Sequence, residues 1–312
     1  MMNILCILLA VACVTDSSTA CKFTDMGAVQ KMVDETAARH GIWDDAKEIH
    51  VGVKLKELHF EEPRLMHGYM MRVDLKTPGL SFAATGRDPQ WGAAMPDYTN
   101  GVKYIRTRRE TTVDFMKRYR QGATNMIVAV NTAPWSPFCP PWNHKWADPG
   151  CWMVADGVEV CETKRGQGAF FAVYNDGSVA ITNSADLASV RHVQSGFTII
   201  GRDGIDLISP KDRTIHPRTA FGLSKDKRYF YILVIDGRQT AYSIGADYHD
   251  LCRMLFAAGA SDAINMDGGG STSLVCFDEA TQTEKMINHH QNNSRRAVAS
   301  NLGIVFEKNY EN

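Results

Sequence analysis

Asp-Gly occurs five times in the chain, at Asp156, Asp176, Asp203, Asp236 and Asp267. The pair ordinarily marks a tight turn, because glycine supplies a positive φ without steric cost. That reading accounts for the first three. Asp236 differs because it closes the most apolar of the expected strands, Tyr229 to Ile235, and is followed by Arg238. Asp267 differs further: Asn265-Met266-Asp267-Gly268-Gly269-Gly270-Ser271-Thr272 contains more glycine than a turn requires. Bare backbone lets a ligand approach closely, and successive N–H groups can form a nest for an anion. Asn265, Asp267, Ser271 and Thr272 add polar side chains at the same point. The segment is not a P-loop, since no Gly-Lys-Ser/Thr follows, and no GxGxxG frames a dinucleotide site. Arg218, in His216-Pro217-Arg218-Thr219-Ala220-Phe221-Gly222, offers a fork that can hold two phosphate oxygens at once. Taken alone, such an arginine is more often a surface or ion-pair residue.

These residues need strands to present them. Met126 to Val130 (MIVAV) reads as a buried strand running into Asn131, and Ala263 to Met266 as another running into Asp267. Tyr229 to Ile235 (YFYILVI) is apolar throughout, as expected of a strand covered on both faces. Tyr69 to Leu75 alternates and stops at Lys76-Thr77-Pro78-Gly79. Short strand-turn units are expected around 158–160, 169–174 and 197–200. Three helices are expected: Met26 to Arg39, a helix capped by Thr111 or Thr112 and closed by Gly122, and Tyr248 to Ala258. Residues 134–152 hold four of the six Trp and five of the 11 Pro, which suits a stiff surface loop and no regular element. The expected fold class is α/β (mixed α+β): one domain with a mixed β-sheet core and flanking helices. The divisions are 1–20 a signal peptide, 21–68 an N-terminal helical appendage, and 69–312 the domain that carries the chemistry.

With 312 residues, 44 % hydrophobic and 22 % charged, the chain is ordinary globular material, which excludes a disordered or fibrous protein. A formal net charge of -1 leaves no general field for nucleic acid, and none is expected as a partner. The 11-residue apolar run Ile4 to Val14 is too short to span a bilayer and, ahead of Ser18-Thr19-Ala20, fits a leader for export. Cys13 and Cys21 each follow small residues and offer a lipid-attachment point, which would be the chain's one link to a membrane. The expected location is therefore the periplasm or cell surface. No CxxC pair occurs from Cys21 onward, which leaves a zinc ribbon or a thioredoxin-like motif unsupported. Cys139 and Cys151 flank one loop and could be joined in an oxidising compartment, or be small buried hydrophobes. His289-His290 reads as a solvated loop rather than a metal site, because adjacent histidines do not converge on one ion. His144 lies between Trp142 and Trp146; these rings either stack on a sugar or pack the loop onto the body. Asn292-Asn293-Ser294 matches a glycosylation sequon, which carries no meaning in a bacterial chain.

Over about 69–306 the segments YMMRVDLKTPGL, RRETTVDFM, VAVN, SGFTIIGRDG, RTAFGLS, ILVIDGRQ, AINMDGGGSTSLV and RRAVASNLGIVF, in that order, resemble the phosphodiester glycosidase family, and the chain reads as a bacterial member. The resemblance implies a pocket built from Arg109, Asn131, Ser195, Gly196, Arg218, Thr219, Asp236, Asn265, Asp267, Gly268, Gly269, Gly270, Ser271 and Arg296. It implies no metal and no cofactor. After the strand Asn the family has small residues and then aromatic pairs, whereas Thr132-Ala133-Pro134-Trp135 follows here. The implied reaction removes an α-linked N-acetylglucosamine from a sugar phosphodiester and leaves a phosphomonoester. Such chemistry needs a carboxylate at an oxocarbenium-like centre and usually a second acid or base. Asp267 is then the nucleophile or general base, Asp236 its partner, and Arg218 with the glycines the phosphate holder. The competing reading is a non-catalytic surface protein that binds carbohydrate and phosphate in the same pocket.

Overall fold

A computed structural model describes residues 43–96, 101–122, 124–139, 143–290 and 295–307. The expected leader, both candidate lipid-attachment cysteines, the helix at 26–39, Trp142 and the sequon lie outside the described residues. The described chain forms twenty strands, and every pairing between them is antiparallel.

The largest sheet has eight strands, in the order Lys47–His50, Val53–Phe60, Met66–Asp74, Tyr229–Ile235, Arg218–Leu223, Asp262–Asn265, Thr198–Arg202 and Ile205–Asp206. A second sheet orders Val179–Ser184, Gln167–Tyr174, Val190–Ser195, Met153–Ala155 and Val158–Cys161. A third orders Thr283–Met286, Leu274–Asp278, Asn125–Asn131, Asn301–Phe306 and Leu80–Ala84. Thr107–Arg108 and Trp146–Ala147 make a small ribbon.

The strand Tyr229–Ile235 shows how the layers stack. Phe230, Ile232 and Val234 enter a core shared with Val128, Val130 and Leu302 of the third sheet and Phe171 of the second. Tyr231, Leu233 and Ile235 point the other way, into a core with Leu251, Leu255 and Phe256 of the helix Tyr248–Ala257. The outer face of the third sheet is covered by the helix Thr112–Gln121, whose Val113, Phe115 and Met116 meet Met126, Ala129 and Val275. Both helices carry the caps that local chemistry calls for. Thr111 Oγ1 accepts from the Asp114 amide, and Asp247 with Asp250 forms a reciprocal capping box.

Two expectations are corrected. The protein is predominantly β, with two α-helices among the described residues, rather than a mixed α/β fold with flanking helices throughout. An all-apolar strand usually signals a parallel sheet; here an antiparallel one is buried on both faces, by a helix and by packed sheets. The described part of 21–68 is also not helical. Residues 47–60 form two strands that extend the large sheet beyond Met66–Asp74, in register from Val53 opposite Val73 to Phe60 opposite Met66. Trp43, just ahead of these strands, packs at a tilt 6.1 Å from the Tyr231 ring and donates to the Ala258 carbonyl.

Candidate active site

Three apolar strands end at one place, and their last polar residues tie them together. Asn131, fully buried at the end of Asn125–Asn131, accepts at Oδ1 from Thr219 Oγ1 (2.8 Å) and the Ser273 amide (3.0 Å). Its Nδ2 donates to the Asp267 carbonyl at 2.6 Å, while the Asp267 amide donates to the Thr132 carbonyl. Asn131 and Thr219 are thus the frame under the glycine turn, since all four groups are consumed internally.

The Asp267 carboxyl accepts from the Gly268 amide (3.0 Å), the Ser271 hydroxyl and the Trp135 indole, close to the Arg296 guanidinium. Desolvation is the largest influence and pushes its pKa up to about 6, against the opposing pull of Ser271, Arg296, Gly268 and Trp135. Asp236, almost wholly buried, accepts at Oδ1 from Asn288 Nδ2 (2.9 Å) and at Oδ2 from the His289 amide (2.9 Å) and the Tyr242 hydroxyl (3.4 Å). Burial raises its pKa too, offset by Asn288 and His289. Two carboxyls are therefore held in states easier to protonate than a surface aspartate, a common property of acid–base sites.

Beside them lies a cavity of about 220 Å³ walled by Asp236, Arg238, Gly269, Gly270, Thr272, Asn288, His289, His290 and Arg296, with Pro217 and Gly237 completing it. Gly270 admits the Arg296 guanidinium: a Cβ there would fall 2.5 Å from Nη2, so any side chain would displace the arginine. Gly269 adopts φ 61°, and its missing Cβ leaves room for the Arg238 guanidinium. Arg238 itself sits at φ 60°, an uncommon backbone for a non-glycine residue and one that strained functional positions use. Its Nη2 meets His216 Nδ1 at 3.3 Å. Burial and the cations of Arg218 and Arg238 depress the pKa of His216, which keeps it an acceptor. The Thr272 hydroxyl is buried at this wall with no hydrogen-bond partner among the described residues.

Of the residues expected in the pocket, Asp236, Gly269, Gly270 and Arg296 line the cavity wall, and Asp267, Gly268 and Ser271 adjoin it. Ser271 Oγ accepts from Arg296 Nη1 at 3.4 Å, and Gly268 is pressed under the Pro217 carbonyl. Arg218 is a correction. Its guanidinium lies on the helix face of the sheet, donating to the Ala246 and Thr214 carbonyls and stacking 4.2 Å from the Tyr248 ring. The cations that wall the cavity are Arg238 and Arg296 instead. The continuous amide nest is also absent, because the Gly268, Gly269 and Ser271 amides are spent on Asp267 Oδ1, Pro217 O and Gly268 O. Ser195 donates to the Trp152 carbonyl, and Gly196 leaves no room for a Cβ beside the Asn265 carbonyl. Asn265 donates to Met266 O, and its Oδ1 is buried without a hydrogen-bond partner among the described residues. These three pack the sheet ends rather than wall the cavity. Arg109 holds the Ala297 and His144 carbonyls and lies 4.2 Å over the Trp135 ring, fixing the segment that carries Arg296.

His289 and His290, expected in a solvated loop, reach the cavity because Asn288 clamps their segment to Asp236 and the Thr272 carbonyl. Arg238, Asn288 and Tyr242 had no separate signal beyond the place of Arg238 just after Asp236. In the Trp-rich loop, Trp152 is core and Trp146 pairs in the ribbon. Cys139 and Cys151 are not joined to each other, and Cys139 Sγ lies 3.7 Å from His144 Nε2. Among the described residues no group of three or more His, Cys, Asp or Glu could hold a metal ion, and no helix is long and apolar enough to cross a membrane.

Two desolvated carboxyls and two arginines thus gather at the ends of antiparallel strands, an arrangement suited to acid–base chemistry on an anion. Comparison with known proteins gives the chain its family. The sequence profile described as phosphodiester glycosidase matches residues 124–305, more than half of the chain, and the protein belongs to that family. No curated protein matches the chain in sequence. Among solved structures, it is similar to the zebrafish N-acetylglucosamine-1-phosphodiester alpha-N-acetylglucosaminidase catalytic domain auto-inhibited by its pro-peptide, at 19 % identity over 82 % of each chain with a TM-score of 0.55. A hypothetical protein from Synechocystis is 10 % identical over 84 % of this chain and 63 % of its own, with a TM-score of 0.57. A putative exported protein from Burkholderia pseudomallei is 12 % identical over 91 % of this chain and 82 % of its own, with a TM-score of 0.53. At these identities the likeness is one of fold.

Proposed function

We propose that the protein is an exported glycosidase that hydrolyses N-acetylglucosamine-α-1-phospho-sugar diesters, releasing the sugar and a phosphomonoester. The observation that carries this reading is the pairing of Arg238 and Arg296 against Gly269 and Gly270 in the same cavity wall as Asp236, with Asp267 beside Arg296. Two guanidinium groups suit a diester phosphate, and they stabilise the charge that gathers on it as the glycosidic C–O bond breaks. A phosphomonoester has a second pKa of about 6, so it departs with little need of a proton. The protein's task is then to supply charge stabilisation and a carboxylate at the anomeric carbon. Asp267 acts there as nucleophile or general base. Asp236 serves as its acid–base partner, and the water oxygen ends on the sugar.

The two carboxyls favour catalysis over a purely receptor role. A site built only to retain an anion gains nothing from desolvated carboxyls next to it, which oppose binding whenever they ionise. Export rests on the apolar segment at 4–14, which would be removed at or after Cys13, and the location is then the periplasm or cell surface. Purified protein is expected to turn over an N-acetylglucosamine-phospho-mannose diester. Tight binding of the diester with no release of N-acetylglucosamine would instead establish the receptor reading.

A further inference from the structure

Tyr242 touches Asp236 from one side and a histidine pair from the other. Asp236 Oδ1 is held by Asn288, while Oδ2 takes the His289 amide and the Tyr242 hydroxyl. The turn that carries Tyr242 is stapled in place. Ser243 Oγ donates to the Asp236 carbonyl and accepts from the His67 amide, and the Asp236 amide donates to the His67 carbonyl. On the Tyr242 ring, His67 stacks with centroids 4.4 Å apart and planes 19° off parallel. His67 Nε2 in turn faces His59 Nδ1 at 2.5 Å, across a directly paired position of neighbouring strands. His289 meets the same tyrosine edge-on.

The geometry points to Tyr242 as a positioning residue for the Asp236 carboxyl, with a grip set by protonation of the His59–His67 pair stacked against it. For its consequence in turnover this rests on the reading of Asp236 given above. The two ring nitrogens can share one proton, and a second would oppose two N–H groups. A cation on His67 lies over the phenol ring, draws on its electrons and strengthens hydroxyl donation to Oδ2. Donation to the ionised carboxylate favours that form, so a charged pair lowers and a neutral pair raises the midpoint of Asp236.

Other groups facing the pair are Glu57 from the Val53–Phe60 strand, Glu61 at 3.7 Å from His59, and Tyr69, whose hydroxyl donates to Glu57. Burial and the neighbouring His59 depress the pKa of His67, while Glu57 and Asp236 oppose this. The Tyr242 phenol is pushed far up by burial and by Asp236, so it remains a neutral donor.

The test follows the Asp236 carboxyl carbon and the His67 imidazole by NMR titration of the full chain. Tyr242→Phe keeps the stacked ring but removes the hydroxyl, and the carboxyl midpoint should rise by about half a pH unit to one, the size of one hydrogen bond to a carboxylate. His67→Phe keeps a stacked ring without its charge and should move the midpoint the same way. By reciprocity, Asp236→Asn should lower the His67 midpoint. In diester turnover, Tyr242→Phe should carry the Asp236-dependent limb of the pH profile upward with KM unchanged. An Asp236 midpoint indifferent to both ring variants overturns the inference. If either variant fails to fold, a His67 midpoint unmoved in Asp236→Asn overturns it alone. The titrations do not depend on turnover, so shifts seen in a protein that cannot cleave the diester would leave this inference standing and remove the proposed activity.

Discussion

Asp267→Asn is expected to lower diester turnover by at least about a hundredfold while raising the melting temperature at neutral pH. The loss is the lower range for removing a positioned acid–base or nucleophilic group. The gain follows from the position of the carboxyl. Its folded pKa is raised from the ordinary 3.8 to about 6, chiefly by desolvation. A proton bound more tightly in the folded state supports folding fully below pH 3.8, and this support is lost as pH rises through about 6. At pH 7 the ionised group therefore costs stability, by up to about 3 kcal/mol. Asparagine removes the charge yet can still accept from the Gly268 amide, so the glycine turn remains in place. Thermal unfolding at pH 7 and pH 3.5 checks the sign: stabilisation should be present at the first and vanish at the second. Equal melting curves at both would contradict the raised pKa of the carboxyl, and turnover within a few-fold of wild type would remove Asp267 from the reaction.

The second large effect is expected at Arg296. Its guanidinium lies against Gly270, reaches Ser271 Oγ and walls the cavity. Arg296→Lys retains the charge but gives up the planar fork that the bare glycine backbone accommodates. Diester kcat/KM should fall about a hundredfold, in the range seen when a positioned donor to a developing anion is lost. A neutral aryl N-acetylglucosaminide offers no phosphate, and its cleavage should change only a few-fold. Parallel steady-state kinetics on the two substrates separate these outcomes. An equal loss on both would make Arg296 a support for the loop and leave Arg238 as the phosphate cation.

Much of the site was legible because chemistry collects where apolar runs stop. Asn131, Asp236 and Asp267 each follow an apolar stretch, and all three strands end at one place. The cap residues likewise mark both described helices, since a hydroxyl or carboxylate ahead of an amphipathic stripe has few other uses. Arg218 shows where the reading stopped. In Arg218–Leu223 every residue is buried, so no alternation of polar and apolar residues says which face Arg218 takes. Register decides it: Arg218 lies opposite Ile235 on the helix side, and Thr219 turns toward Asn131. Val53–Phe60 was hidden for a related reason. Val53 and Leu55 enter one core, and Leu58 and Phe60 enter the other, so the apolar positions change parity midway. His289 and His290 belong to a loop with no period at all; long-range contacts bring them to the cavity, among them Asn288 and the His289 amide on Asp236 and Ser273 Oγ against His290.

Diester hydrolysis in oxygen-18 water tests the central claim most directly. The account expects attack at the anomeric carbon and rupture of the C–O bond, whether Asp267 works as nucleophile or as general base. Mass spectrometry of products taken early in the reaction, before the free sugar exchanges with solvent, should find the label on N-acetylglucosamine and unlabelled oxygen throughout the phosphomonoester. Label in the phosphate would mean that the P–O bond breaks, that the protein is a phosphodiesterase, and that the roles given to Asp267 and Asp236 are wrong.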